Sequence, residues 1–216
     1  MSLTTAFSSI FLFLLLLVSL GRLLEIRRSK GNQRILLQNG AREYFPEHYR
    51  WMVLLHATWF ISCATEAWWR RSVPPLWLTA VGGIVFLIGL SLRLTAMRTL
   101  GERWTTRIFV LPSQPLVSKG IYRYIRHPNY LGVLLEIAGL PLIVGAWRTA
   151  LLFSLLNALL LYHRIRLEEL AFTEAKSVLG TEIAVPRFIP NMGFRHGSKS
   201  GNTPKIESDI DRALRP

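Results

Sequence analysis

Cysteine and acidic residues are scarce in this chain. Its single cysteine, Cys63, excludes a disulfide framework and a metal site built from cysteines. Asp and Glu together number 13, against 26 Lys and Arg. No glycine-rich turn joins a strand to a helix, which argues against a Rossmann nucleotide-binding domain. The sequence also contains no repeat of fixed period, and no set of metal ligands is predicted.

Hydrophobic residues, in contrast, make up 50% of the chain. Such a basic composition coexists with such an apolar one only when the two are segregated along the sequence. A helix of roughly 17 to 25 apolar residues crosses a bilayer, and five windows approach this length. They are Leu3–Leu20, Trp51–Trp69, Leu76–Met97, Tyr130–Ala146 and Thr149–Tyr162. We therefore predict an all-α integral membrane bundle of about five transmembrane helices, in which the last two form a tight hairpin.

The basic residues indicate how such a bundle is oriented. Lys and Arg number seven in residues 22–50, six in residues 98–126 and nine from residue 164 onward. Only three fall in the two segments that alternate with these. Because positive residues accumulate in cytoplasmic loops, we expect a multi-pass cell-membrane protein with its N-terminus outside and its C-terminus in the cytoplasm. The positive charge then contacts anionic membrane lipids rather than nucleic acid.

The segments outside the windows differ in composition. The first window has no basic leader and no small-residue cleavage site, so we expect an uncleaved membrane anchor. Residues 31–48 are polar and are punctuated by glycine and proline, which predicts a connector. Beyond Phe194 the chain is rich in Gly, Ser, Lys and Asp and cannot bury enough apolar surface to order itself. We expect residues 1–193 to form the membrane domain and residues 194–216 to be a disordered polar tail.

The third window contains small residues at Gly82, Gly83 and Gly89. Small residues let helix backbones approach closely inside a membrane. The partner of this face is either another helix of the same chain or a second subunit, so the sequence leaves the oligomeric state open.

Three ionisable residues fall inside the predicted spans. They are Glu66, Arg93 and Glu136. Each costs about 2.5–3.5 kcal/mol at the centre of a helix, so such residues usually face a partner or a wet cavity. Glu66 lies four residues before Arg70, and we expect an ion pair on one helix face. Glu136 has two interpretations: it is a buried base that accepts a proton, or it pairs with Arg93 and is structural.

A basic and aromatic segment, GIYRYIRHPNY at residues 120–130, immediately precedes the long apolar run of the fourth window. The His127-Pro128 step predicts a helix boundary, so the polar side chains here lie where water meets hydrocarbon. A soluble cofactor and a lipid can meet at such a junction. At the end of the fifth window, Arg164 and Glu168 are four residues apart and share a helix face. Both segments are expected on the cytoplasmic side.

Together these segments carry a resemblance to a known family. The combination of LVSKGIYRYIRHPNYLG (residues 116–132), a hairpin of short spans, RIRLEELAF (164–172) and VPRFIP (185–190) resembles the isoprenylcysteine carboxyl methyltransferase family of integral membrane enzymes. The resemblance covers roughly residues 93–190, which are thus the expected cofactor-binding half. The amino-terminal part is similar to bacterial members that accompany type III polyketide synthases and are thought to methylate phenolic or pyrone lipids.

The resemblance implies S-adenosylmethionine as the methyl donor, bound in a C-terminal region that faces the cytoplasm. By position, it implies a cofactor site lined by His127, Pro128, Asn129, Tyr130, Tyr122, Gln114, Leu116, Val117 and Glu168. Arg164 is expected to contact the substrate and to take part in catalysis with Glu136. Arg93 is a second expected substrate contact, and Glu169 is expected to lie behind Glu168.

Methyl transfer from a sulfonium is an in-line displacement, so the enzyme chiefly aligns the reacting atoms and excludes water. A carboxylate acceptor is already charged, whereas a phenol or enol must lose a proton, which His127 or Glu136 would accept. We predict an S-adenosylmethionine-dependent O-methyltransferase whose lipophilic acceptor enters from the bilayer. The alternatives are a phospholipid N-methyltransferase, a NADPH-dependent enzyme of the sterol reductase type and a non-enzymatic membrane scaffold.

Overall fold

The computed structural model describes residues 3–70, 72–111 and 117–177. Within these residues the chain forms five α-helices: α1 (Leu3–Gln38), α2 (His48–Arg70), α3 (Leu76–Leu100), α4 (Pro128–Ile143) and α5 (Trp147–Ser177). Two short strands, β1 (Arg42–Tyr44) and β2 (Ile108–Val110), pair with each other, and 3-10 turns occupy Gly101–Arg103 and Gly120–Arg123. The prediction of an all-α membrane bundle is therefore confirmed, with one small sheet added. The predicted tail at residues 194–216 lies outside the described residues.

In the described part of the chain, three helical stretches are long and apolar enough to cross a membrane: Ser9–Gln38, Leu76–Arg103 and Trp147–Ala175. The helix α2 has 23 residues but carries His56 and Glu66 among its apolar side chains. The helix α4 has 16 residues and is shorter than a full span. Large apolar side chains on several helices are more than half exposed, as on a surface that meets lipid. The protein is thus membrane-embedded, with three of the five predicted spans long and apolar enough to cross.

The helix α1 runs well past the predicted end of the first span. It continues from Leu20 to Gln38, so the expectation of a connector over residues 31–48 is wrong for its first eight residues. Straight-chain residues such as Leu, Arg, Lys and Gln fill this stretch and favour a helix. The turn comprises Asn39 and Gly40, and the positive φ of 85° at Gly40 suits glycine.

The glycines of α3 pack within the chain, against α4. A Cβ on Gly89 would lie 2.7 Å from the Gly132 carbonyl oxygen, and one on Gly139 would lie 2.5 Å from the Phe86 nitrogen. Gly82 is equally close to the backbone of α4, whereas nothing lies within 4 Å of a Cβ on Gly83. The two backbones are therefore in direct contact, as small residues permit in membrane helices.

The turn between α4 and α5 is held by α2. The Glu66 carboxylate accepts hydrogen bonds from the Thr149 amide at 2.8 Å, the Thr149 hydroxyl at 2.6 Å and the Arg148 amide at 3.3 Å. Arg70 donates to the Gly145 carbonyl oxygen. The expected Glu66–Arg70 ion pair is wrong, because both side chains instead satisfy backbone groups that the turn and the α5 N-terminus leave unpaired. The predicted tight hairpin is confirmed.

The main hydrophobic core lies where the five helices meet, with Phe86 as the buried member from α3. Its most buried members include Phe11, Trp59, Ile137 and Leu140. The Trp59 indole also donates to the Ile137 carbonyl oxygen at 3.2 Å. A second, smaller cluster places β2 against α5, where Ile108 packs with alanines. This second contact brings the segment before β2 close to the end of α5 that carries Arg164.

Candidate functional site

The helix α4 begins at the predicted His-Pro step. Pro128 occupies the first turn, where a missing N–H costs nothing. The His127 carbonyl accepts from the amides of Tyr130 at 3.1 Å and Leu131 at 3.2 Å. This start directs Tyr130 towards α5.

Three predicted site residues meet in one hydrogen-bonded chain. The Tyr130 hydroxyl donates to Glu168 Oε2 at 2.5 Å. Arg164 Nε donates to the Tyr130 hydroxyl at 2.9 Å, and Arg164 Nη2 donates to the Thr106 carbonyl oxygen at 2.8 Å. Arg164 is only 4% exposed, so its buried positive charge must be stabilised by these hydrogen-bond acceptors and by the nearby Glu168 carboxylate. The chain joins α4, α5 and the segment before β2.

His127 completes the cluster by stacking. Its ring lies parallel to that of Tyr130, with centroids 5.2 Å apart and an interplanar angle of 10°. His127 Nδ1 is 4.0 Å from Glu168 Oε2, which is beyond hydrogen-bonding distance but within electrostatic range. The stack fixes the imidazole beside the carboxylate, and we name the set His127, Tyr130, Arg164 and Glu168 the tyrosine cluster.

Two further predicted residues lie beside the tyrosine cluster. Burial raises the pKa of Tyr122, and the Glu168 carboxylate raises it further, so the phenol stays neutral in the physiological range. The Asn129 side-chain oxygen is buried and accepts no hydrogen bond from any described residue. Burying an amide oxygen without a partner is unfavourable, so a hydrogen-bond donor to this oxygen is expected.

The structure describes only some of the other residues that were predicted at or near the cofactor site. Pro128 is buried at the start of α4, Val117 is half-buried and Glu169 is half-buried on α5. Gln114 and Leu116 lie outside the described residues, as does the segment 185–190.

Arg93 and Glu136 belong to a second cluster. Arg93 Nε lies 3.2 Å from Glu136 Oε1 and 3.1 Å from Oε2, so the pairing interpretation is the one observed. Arg22 donates to Glu136 and to Glu25, the latter at 2.9 Å, and Arg93 also donates to Glu25. We name these four residues the charge cluster. Each cation contacts both anions, and Glu136 is only 1% exposed.

The two clusters face different ways from α4. Glu136 follows Tyr130 by six residues, which is about 9 Å along the axis and about 240° around it. Tyr130 accordingly contacts α5, whereas Glu136 contacts α1 and α3. Arg22 and Glu25 are not among the predicted site residues, although their spacing of three on a helix is a signal for an ion pair.

The segment that follows α3 is held against α1. Asn32 Nδ2 donates to the carbonyl oxygens of Trp104 at 2.7 Å and Gly101 at 3.1 Å. The Thr106 amide donates to Ser29 Oγ at 2.9 Å, and the Thr106 and Ser29 hydroxyls are 3.0 Å apart. Thr106 therefore bonds α1 through its amide and its hydroxyl, and α5 through its carbonyl.

Part of this chain matches a known protein family. Residues 81–174 match the sequence profile of the Isoprenylcysteine carboxyl methyltransferase (ICMT) family. The matched range contains α4 and most of α3 and α5, and with them the whole tyrosine cluster. The helices α1 and α2 lie before it.

Individual relatives match over different shares of the chain. It is 34% identical to the uncharacterized protein YpbQ of Bacillus subtilis over 164 residues, which cover 76% of this chain and 97% of that protein. It is 26% identical to an uncharacterized protein of Haemophilus influenzae over 153 residues, covering 70% and 88% respectively. Over 84 residues it is 33% identical to the Protein-S-isoprenylcysteine O-methyltransferase of Schizosaccharomyces pombe, covering 38% of this chain and 36% of that enzyme.

Proposed function

Because the chain belongs to the isoprenylcysteine carboxyl methyltransferase family, whose members are membrane methyltransferases, we propose that it uses S-adenosylmethionine to methylate an oxygen of a lipophilic acceptor. The observation that carries this proposal is the hydrogen-bonded chain from the Thr106 carbonyl through Arg164 and Tyr130 to Glu168. It joins the two motifs of the resemblance, one on α4 and one on α5, into a single polar site.

The residues of this site suit the proposed cofactor. When bound, S-adenosylmethionine supplies a methyl group on a positively charged sulfur. The Glu168 carboxylate, whose side chain is 22% exposed, offers negative charge and acceptors for hydroxyl groups. The Tyr130 ring already has the Arg164 guanidinium 5.6 Å from its centroid, so we assign the stacked His127 ring to the sulfonium, because aromatic faces attract cations. The buried Asn129 oxygen offers an acceptor for an amino group.

Arg164 is placed to orient an acceptor. Its Nε and Nη2 atoms donate to Tyr130 and Thr106, and Nη1 donates no hydrogen bond within residues 3–70, 72–111 and 117–177. A guanidinium binds a carboxylate or a phenolate well. In this proposal, Arg164 contacts the acceptor anion while Tyr130 and Glu168 fix the guanidinium in place.

A phenolic acceptor would also need a proton acceptor. Among the candidates, His127 lies within the tyrosine cluster, whereas Glu136 is engaged by Arg22 and Arg93. Both oxygens of the Glu136 carboxylate contact these guanidinium groups, so neither is free to reach the hydroxyl of an acceptor. We therefore assign proton transfer to His127 and assign Glu136 to holding α1, α3 and α4 together. Arg93, in the same cluster, is then structural as well.

The proposed orientation follows from the distribution of basic residues. The C-terminal end of α5 and the α3–α4 connection lie on the cytoplasmic side, where S-adenosylmethionine is available, and the N-terminus lies outside. The acceptor reaches Arg164 from the bilayer, since the surrounding helices present exposed apolar side chains to lipid.

Cofactor binding is tested by calorimetry on the detergent-solubilised protein. Glu168→Gln and Tyr130→Phe should weaken S-adenosylmethionine binding about 10-fold to 100-fold, the range of one charged hydrogen bond of about 1.5–3 kcal/mol. The matched control is Glu174→Gln, an exposed carboxylate on the same helix, which should bind normally. Unchanged affinity in the first two variants, or no binding by the unaltered protein, would refute the assignment.

The acceptor class is tested with methyl-labelled S-adenosylmethionine and three lipophilic probes. N-acetyl-S-farnesylcysteine offers a carboxylate, a long-chain alkylresorcinol offers a phenol and phosphatidylethanolamine offers an amine. A base-labile ester or a stable ether supports O-methylation. Label on the amine alone would identify a phospholipid N-methyltransferase instead.

A further inference from the structure

We infer that α1, which lies outside the residues that match the family, positions Arg164 through Ser29, Asn32 and the Thr106 carbonyl. Arg164 in turn holds Tyr130 against Glu168, and α1 thereby sets the affinity of these two residues for S-adenosylmethionine. This inference rests on the proposed function. It gives the amino-terminal helix a role in the site beyond anchoring the chain in the membrane.

The first step is a polar stripe along α1. Arg22, Glu25, Ser29 and Asn32 follow one another at spacings of three and four, so they share one face of the helix. The first two belong to the charge cluster and fix α1 to α3 and α4. These two residues therefore fix the position of α1 along its axis, and Ser29 and Asn32 are held at the level of the segment that follows α3.

The second step is the saturation of the Ser29 hydroxyl. Ser29 is fully buried, with 0% exposure. Its oxygen accepts from the Thr106 amide at 2.9 Å and from Gln33 Nε2 at 2.9 Å. Since a hydroxyl has two lone pairs and one proton, its proton is left for the Thr106 hydroxyl at 3.0 Å. All three of its hydrogen-bonding capacities are used, and two of them hold Thr106.

The third step transmits this position to the site. The carbonyl of Thr106 accepts from Arg164 Nη2, and Arg164 Nε in turn holds the Tyr130 hydroxyl against Glu168. Asn32 fixes the same segment upstream, by donating to the carbonyls of Gly101 and Trp104. The pairing of β2 with β1 begins two residues after Thr106, at Ile108. The backbone is thus fixed both before and after Thr106. A displacement of the Thr106 carbonyl oxygen would displace Arg164, which donates to it.

The test replaces Ser29 and measures S-adenosylmethionine affinity by calorimetry. Ser29→Ala should weaken binding on the order of 10-fold, because a displacement of about 1 Å at a positioning group has large effects. The matched control is Ser19→Ala on the same helix, whose hydroxyl bonds only its own helix, at the Leu15 carbonyl. That variant should bind as the unaltered protein does. Equal affinities for Ser29→Ala and Ser19→Ala would overturn the inference.

A double-variant comparison separates positioning from general destabilisation. If Ser29 acts through Arg164, then Ser29→Ala should cause no further loss of affinity once Arg164→Lys has removed the forked guanidinium. Losses that simply add would indicate a structural role alone and would overturn the inference. Gln33→Leu, which leaves the buried Thr106 amide bonded, provides a fold-preserving variant and should weaken binding about twofold to threefold.

The two proposals fail in different ways in this experiment. If the unaltered protein binds no S-adenosylmethionine, the proposed function is refuted and the inference falls with it. If the unaltered protein binds, and Glu168→Gln does not, but Ser29→Ala and Gln33→Leu bind normally, only the inference about α1 is refuted.

Discussion

Replacing Gly139 by alanine should destabilise the protein, whereas the same replacement at Gly83 should not. A Cβ on Gly139 would lie 2.5 Å from the Phe86 nitrogen, 2.8 Å from the Gly82 carbonyl oxygen and 3.0 Å from the Phe86 Cα. All three atoms belong to the backbone of α3, so no side chain can rotate away. The two helices must separate to admit the methyl group.

The expected magnitude combines two opposing effects. Overpacking a close contact costs about 1–3 kcal/mol, while replacing glycine by alanine inside a helix gains up to about 1 kcal/mol. With the full gain subtracted from the cost, Gly139→Ala should lose up to about 2 kcal/mol of unfolding free energy. The methyl group of Gly83→Ala meets nothing within 4 Å, so this variant should show only the stabilisation of up to about 1 kcal/mol that alanine gives a helix.

Thermal unfolding in one detergent provides the measurement, with both variants and the unaltered protein compared side by side. The midpoint should fall for Gly139→Ala and should stay level or rise for Gly83→Ala. Equal shifts in the two variants would show that α3 and α4 are not in backbone contact, and the reasoning about this pair of helices would be wrong.

Three further predictions concern other contacts. Glu136→Gln should destabilise the protein by about 3–5 kcal/mol, because it leaves buried cations uncompensated. Its control, Glu43→Gln, breaks the partly exposed pair with Arg107 and should cost at most about 1 kcal/mol. Similar losses of thermal stability in the two variants would contradict the buried charge cluster. Glu66→Gln should cost about 1 kcal/mol by weakening the cap of α5, and exposed Glu47→Gln should not; equal melting points would count against the cap. Cysteines introduced at exposed Ser72 and Ser118 should react with an impermeant maleimide from opposite sides of the membrane, with buried Cys63 unreactive; labelling from the same side would refute the proposed orientation.

Much of the fold could be predicted from apolar windows. Five windows predicted five helices, and the short hairpin after the His-Pro step is present. The length of α1 could not be predicted, because its second half is polar and its partners lie about 70 residues away in the segment after α3. A polar helix looks like a connector until its buried face is known.

The candidate site could be predicted only where side chains carry its proposed chemistry. His127, Tyr130, Arg164 and Glu168 were identified from the resemblance, and the structure brings them together. The Thr106 carbonyl could not be identified, because a backbone oxygen carries no residue-specific signal. The Glu66–Arg70 pair was wrong for a related reason: the (i, i+4) rule considers one helix, and unpaired backbone groups at the hairpin turn compete for both side chains.

The glycine contacts between α3 and α4 have a consequence for how a lipid reaches the interior. Where two backbones touch, no acyl or prenyl chain fits between them, so that side of the protein forms a closed wall. In the proposed function, an acceptor that arrives from the bilayer therefore passes beside another helix. A movement that preserved this backbone contact would carry α3 and α4 together, and the paired Arg93 and Glu136 with them.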